Sequence, residues 1–298
     1  MQATNKKKGV VGVVGLGIMG GAFANNLAAA GWHVMGHDPS EPRTKEAAAS
    51  GVEIARSAGD VAAKAPIIIT SLPNAAALNT TVKSIVAAKL PRRVLVEAGT
   101  FTLEEKMAAE REFKAGGHVM LDCPVSGTGS QAKVKDLVIY ASGDAATFET
   151  LRPLFADFSR QAHHLGAFGN GMRMKLVANL LVAIHNVASA EAMVLGMKAG
   201  LDPHQVVKLI AAGAGNSRVF ELRAPMMADN HYDSATMKVS IWQKDMAVIG
   251  SFARQIGCPT PLFDATSPIY AKALAGGHAN DDTASVCAVL EEMAGIKR

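Results

Sequence analysis

A doubly wound α/β domain with a largely parallel sheet, followed by an all-helical domain, is the architecture the 298-residue sequence predicts. Three observations predict it. From residue 9 to about 165, short apolar runs alternate with Ala-rich helical segments, the pacing of right-handed βαβ units covered on both faces. Near residue 166 the alternation stops and only helical periodicity follows. The composition agrees: 49% hydrophobic but 5% aromatic residues, with 28 Gly, suits helices packed closely on a sheet and excludes a disordered chain.

Taken in order, the expected strands are "VVGVVG", "HVMGH", "PIIIT", "RVLVE", "HVMLD", "LVIYA" and "AHHLG". Helical segments lie between them at 17–30, 44–50, 74–89, 102–115 and 144–158. The second half predicts helices over 172–199, 203–213, 216–227, 236–256, 263–275 and 281–293. "LDPHQ" and "NDDTAS" offer Asp, Ser or Thr to cap helix N-termini. The expected division is 1–168 and 169–298, joined by the 172–199 helix, about 40 Å long at 1.5 Å per residue.

Several classes are excluded. The net charge of +4 is scattered, and the one basic run, Lys6 to Lys8, reads as a solvated N-terminus, so no nucleic-acid partner is expected. The apolar run that follows mimics a signal h-region, but its seven glycines resolve it into strand, turn and helix. The most apolar helix carries Lys175, Asn179, His185, Asn186 and Glu191, which argues against a lipid-facing span and a membrane partner. Cys123, Cys258 and Cys287 are odd in number, share no metal-ligand spacing and fit a reduced, cytoplasmic setting. Cys123 reads as a buried structural thiol, because no paired His is evident. His163, His164 and His185 form no ligand pattern, so no metal is expected.

Residues 15–20 read "GLGIMG" directly between a strand and a helix. Gly15 permits the tight turn, Gly17 lets the backbone approach a pyrophosphate, and Gly20 lets the helix pack on the strand. With Leu16, Ile18 and Met19 they present helix N-terminal amides to phosphates, as in a Rossmann-type domain. Asp38 closes the second strand, where its carboxylate can accept from ribose hydroxyls and repel a 2′-phosphate. NAD is therefore the expected cofactor, with NADP the alternative because Arg43 and Lys45 lie nearby.

Four ordered blocks, "GLGIMG" at 15–20, "DCPVSGTGSQA" at 122–132, "GNGMRMKLVAN" at 169–179 and "KDM" at 244–246, run over nearly the whole chain. In them the sequence resembles the β-hydroxyacid dehydrogenase family. That family includes 3-hydroxyisobutyrate dehydrogenases, tartronate semialdehyde (2-hydroxy-3-oxopropionate) reductases and glyoxylate/succinic semialdehyde reductases. The resemblance implies an NAD(P)-dependent oxidoreductase acting on a small 3-hydroxy acid or its semialdehyde. It implies Ser126 and Gly127 as the carboxylate-holding loop, Lys175 as catalytic acid/base and Asn179 as its companion one turn on. Lys244 is implied near nicotinamide and substrate, Thr100 near the nicotinamide ribose, and Leu72 and Pro73 against the cofactor. Relatives form dimers or tetramers through the helical domain, so a homodimer or homotetramer is implied. Thr128 and Ser130 depart from the family pattern and point to a more polar distal group on the substrate. Phosphogluconate-type decarboxylation is disfavoured by a helical domain shorter than that of 6-phosphogluconate dehydrogenase. The rivals are an imine reductase on the same scaffold and a nucleotide-binding protein without turnover.

The residues themselves support a proton-transfer role for Lys175. A free lysine, with pKa about 10.4, is almost never a base at neutral pH, and desolvation or a second cation lowers it. A spacing of four puts Lys175 and Asn179 on one helix face. Asn179 can then bond the reacting oxygen without competing for the proton. A cleft between the two domains is expected to exclude water, with Trp242 and Arg218 as further candidates to line it.

Overall fold

The computed structural model describes residues 8–298, so Lys6 and Lys7 of the basic run lie outside the described residues. Lys8 pairs with Asp157 at 2.7 Å. The chain divides into two compact units, Met1–Lys175 and Leu176–Arg298.

The first unit runs β1 (Val10–Val14), α1 (Ile18–Ala29), β2 (His33–His37), α2 (Glu41–Ala49), β3 (Glu53–Ile54), α3 (Ala58–Lys64), β4 (Ile67–Thr70) and α4 (Ala75–Ala87). It continues with β5 (Val94–Glu97), α5 (Leu103–Ala115), β6 (Val119–Asp122), β7 (Val125–Ser126), α6 (Gly129–Lys133), β8 (Val138–Ala141), α7 (Ala145–Phe158) and β9 (Gln161–His164). Six strands form one parallel sheet in the order β3-β2-β1-β4-β5-β6. The order reverses beside β1, the crevice where doubly wound sheets bind nucleotides. Alternation along the strands serves both faces. Val11, Val13, Ile69, Val96 and Leu121 join Phe23, Phe148 and Phe158 in one apolar cluster. Val14, Ile68, Leu95 and Met120 join Leu78, Ile85 and Phe113 in another.

Two expectations need correction. "LVIYA" and "AHHLG" are strands, but not of the parallel sheet: β8 pairs antiparallel with β7 and parallel with β9 in a separate three-stranded sheet. The short elements β3, α3, β7 and α6 escaped the periodic pattern altogether.

The helix α8 (Asn170–Lys198) begins in the first unit and continues into the second. The second unit adds α9 (Pro203–Ala211), α10 (Arg218–Asp229), α11 (Val239–Gln255), α12 (Pro261–Ala275) and α13 (Val286–Met293). The helix expected over 281–293 is interrupted. Two 3₁₀ turns, His278–Asn280 and Thr283–Ser285, precede α13, and the Asp282 carboxylate accepts the Ala284 amide at 3.0 Å. By length and apolarity alone α8 could cross a bilayer. Buried Asn186, however, donates its amide to the Tyr270 hydroxyl at 2.9 Å and the Thr283 carbonyl at 2.8 Å, polar partners inside the protein that mark a core helix.

Candidate active site

The glycine turn is shaped by close approach. Gly15 adopts φ +87°, and a Cβ there would overlap the Ser71 carbonyl; one on Gly20 would overlap the carbonyl of Gly15. The turn therefore closes against β4, whose following loop brings Leu72 beside Gly15, with Pro73 exposed next to it. Gly17 caps α1, and exposed Ile18 and half-buried Met19 open the helix; its first turn holds no acidic side chain to oppose a phosphate. Asp38 is buried, and each of its oxygens already accepts a backbone amide, Leu16 N at 2.8 Å and Ser40 N at 2.8 Å. It thus braces the turn as well as offering remaining lone pairs to a ribose. Arg43, whose guanidinium lies 3.7 Å from Asp38, leans over Gly17, where a Cβ would meet it at 3.0 Å. Bare glycine backbone, unopposed helix amides and a nearby guanidinium fit a dinucleotide's phosphates.

The 122–132 block stands beside this turn. A Cβ on Gly129 would collide with Ile18, and Asn26 of α1 donates to the Ala132 carbonyl at 2.8 Å. Half-buried Ser126 ends β7, and Gly127 follows at φ +133°, a conformation that favours glycine. Of the backbone amides in this loop, the Thr128 N–H is already engaged, donating to Gln131 Oε1 at 3.0 Å. The Thr128 and Ser130 hydroxyls lie 2.9 Å apart, a polar pair beside Gly127.

Lys175 reaches this block. Its Nζ donates to the Val125 carbonyl at 2.8 Å, the residue immediately before Ser126. The side chain is half-buried, less engulfed than its place in an apolar helix suggests. Thr100 is half-buried in the loop after β5.

In the second unit, buried Asn179 donates to the buried Asp245 carboxylate at 3.0 Å. Asp245 follows exposed Lys244 on α11. Trp242 is buried beside Tyr270 in the helical core, and exposed Arg218 pairs with Glu221 at 2.9 Å.

Sequence reasoning missed a cluster of buried charge. Lys106 of α5 lies 2.6 Å from Glu97 at the end of β5 and 2.6 Å from Asp122 at the end of β6, all three inaccessible to solvent. Burial alone would lower the Lys106 pKa; the Asp122 and Glu97 carboxylates outweigh it and hold the ammonium above its ordinary value. Burial pushes Glu97 up against the pull of Lys106. It pushes the adjacent Cys123 thiol well above its usual range, which suits an inert thiol. The available signal was positional. Lys106 stands three and seven residues before Ala109 and Phe113, on the buried stripe of α5.

Residues 10–169 match the family model of the NAD binding domain of 6-phosphogluconate dehydrogenase. Residues 169–290 match that of the NAD-binding of NADP-dependent 3-hydroxyisobutyrate dehydrogenase. The chain is 31% identical to the L-threonate dehydrogenase of Cupriavidus necator, covering 93% of this chain and 94% of that one. A solved structure of the Mycobacterium tuberculosis 3-hydroxyisobutyrate dehydrogenase with L-serine superposes with TM-score 0.86 at 29% identity, covering 95% of this chain and 99% of that one. An imine reductase from Bacillus cereus is more distant, with TM-score 0.61 and 18% identity over 95% of this chain and 99% of that one, and shares the fold alone.

Proposed function

The chain belongs to the β-hydroxyacid dehydrogenase family, an NAD(P)-binding oxidoreductase, and from that premise we propose that it interconverts a small 3-hydroxy acid and its semialdehyde. The observation that carries this is the 2.8 Å bond from Lys175 Nζ to the Val125 carbonyl. It fixes the amine at the edge of the Ser126–Gly127 loop, in the block that packs on the glycine turn.

In this mechanism Ser126 and Gly127 hold the substrate carboxylate. Lys175, as the neutral amine, takes the hydroxyl proton at Nζ during oxidation and returns one during reduction. Asn179, one turn further along α8, bonds the reacting oxygen, and Asp245 fixes the direction of its amide. Lys244 supports substrate and nicotinamide. A nicotinamide bound there would supply the hydride acceptor for oxidation, or the hydride donor for reduction. Gly15, Gly17 and Gly20 hold the pyrophosphate on the α1 amides, with Leu72, Pro73 and Thr100 along the cofactor. Asp38 favours NAD, while Arg43 gives a 2′-phosphate a partner, so NADP is also used. The Thr128–Ser130 hydroxyl pair favours a polar distal group, such as the terminal hydroxymethyl that L-threonate carries beyond its reacting alcohol and 3-hydroxyisobutyrate, with its single hydroxyl, lacks. Position 169, where the two family models meet, is the proposed functional boundary. The enzyme is cytoplasmic and a homodimer or homotetramer.

The test is reduction of NAD and NADP, followed by absorbance, with 3-hydroxyisobutyrate, L-threonate and L-serine, each beside a cyclic imine offered with the reduced cofactors. Turnover of a hydroxy acid, fastest with L-threonate, is expected. Reduction of the imine with no hydroxy acid oxidised would overturn the proposal, and cofactor binding without any turnover would leave only a nucleotide-binding scaffold.

A further inference from the structure

We propose that Asp122 and Ser142, held by the buried Glu97–Lys106 pair, are positioning residues that set the place of the Lys175 amine. This rests on Lys175 being the acid/base of the proposed reaction. All of these residues lie in the first unit.

Asp122 divides its two oxygens between two tasks. Oδ1 takes the Lys106 ammonium at 2.6 Å. Oδ2 accepts the Met172 amide at 2.8 Å and the Ser142 hydroxyl at 3.1 Å. Ser142 Oγ in turn accepts the Gly171 amide at 2.9 Å. Two of the first N–H groups of α8, which have no partner within the helix, thus end on one carboxylate–hydroxyl pair. The approach is too close for a side chain: a Cβ on Gly171 would run into the Tyr140 carbonyl and sit 2.8 Å from the Asp122 carbonyl oxygen. Backbone bonds between Asp122 and Ser142, at 3.0 and 2.8 Å, hold the pair itself.

Asp122 reaches Lys175 by a second route. Three residues beyond it, Val125 supplies the carbonyl that accepts Lys175 Nζ. Asp122 is thus tied by its bonds to the helix turn that leads to Lys175, and through three residues of chain to the strand end that receives the amine. Lys106 holds Asp122 through its ammonium, and the Glu97 carbonyl accepts the Cys123 amide at 2.8 Å, next to Asp122. A buried acid serving only stability needs satisfied oxygens; it does not need one of them committed to the turn that launches the catalytic lysine.

Misplacement of a reacting group by about 1 Å costs on the order of a hundredfold in rate. Ser142→Ala removes one bridge and keeps the fold, whereas Asp122→Asn also takes from buried Lys106 one of its two carboxylates and can fail to fold, so the serine variant is decisive. In Ser142→Ala we expect turnover of L-threonate or 3-hydroxyisobutyrate to fall at least about tenfold, with the cofactor Kd within about twofold of wild type. The discriminating measurement is a cycle with Lys175→Ala. If Ser142 acts through the lysine, Ser142→Ala lowers the residual turnover of Lys175→Ala by less than about twofold; independent effects would multiply. A multiplicative loss, or wild-type turnover in Ser142→Ala, overturns the inference and leaves the proposed function standing. Wild-type turnover in Lys175→Ala, or no hydroxy acid oxidised by the wild type, overturns the proposed function and the inference with it.

Discussion

Each of the two units buries an ionic cluster, and the two clusters use their bonds differently. In the first unit two carboxylates, Glu97 and Asp122, share the Lys106 ammonium, and the spare oxygen of Asp122 holds the start of α8. In the second, Asp282 faces Arg223 at 3.3 Å and spends its other bonds on the turns that join helices: the amides of Thr236 (2.8 Å), Met237 (3.1 Å) and Ala284 (3.0 Å). The Asp282 cluster closes loops. The Asp122 cluster closes loops and also holds the first turn of α8, the helix that carries Lys175. Burial of charge by itself says little about function; where the remaining lone pairs go says more.

The comparison can be broken by substitution. The largest effect is expected for Lys106→Ala, which leaves two carboxylates buried within a few ångströms without their cation. A loss of about 4 kcal/mol in unfolding free energy is expected, since removing one partner of a buried ion pair strands the other. Denaturant titration measures it, and a midpoint equal to wild type would mean that the cluster holds nothing.

Asp282→Asn is expected to cost slightly less, about 3 kcal/mol, because only Arg223 loses its partner and the amide oxygen can still accept from the turns. Turnover per folded molecule is expected to stay at the wild-type level. A fall in turnover without any change in folded fraction would erase the distinction between the two clusters.

The smallest effect lies in acid. Burial would raise the Asp282 pKa, but Arg223 and the Ala284, Thr236 and Met237 bonds hold it below the usual carboxylate value. A folded-state pKa below the unfolded one stabilises the protein above the ordinary value, about 3.9, and that contribution is lost as pH falls through the folded-state value. Unfolding free energy followed from pH 7 downward should therefore drop below about pH 4 in wild type and less steeply in Asp282→Asn. Parallel curves would assign the acid lability to other carboxylates.

Much of the fold is legible in the sequence because long periodic segments leave few options. The first strand and helix around "GLGIMG" lie within a residue or two of their expected ends, and α8 begins two residues before expectation. Elements of two to seven residues, such as Glu53–Ile54 and Ala58–Lys64, carry too few positions for a period to emerge. Partner choice for β8 and β9 is invisible for a different reason. An apolar run marks a strand, but it does not say that Val125–Ser126 will turn back and pair with Val138 and Ile139. The break ahead of α13 depends on Asp282 accepting amides from Thr236 and Met237, more than forty residues away.

The site divides along the same line. Lys175, Ser126, Asp38 and the glycines are conspicuous by residue type in an apolar or glycine-rich setting. Lys106, Glu97 and Ser142 are ordinary residues whose importance comes only from being brought together across α5, β5 and the segment after β8. Asp245 likewise gains its meaning from Asn179, 66 positions earlier.

The most direct test of the central claim is the rate of cofactor reduction by Lys175→Ala with the best hydroxy acid at saturating cofactor, alongside the cofactor Kd of the same variant. If Lys175 moves the hydroxyl proton, turnover falls at least about a hundredfold while the Kd stays within about twofold of wild type. Turnover close to wild type at an unchanged Kd would contradict the assignment.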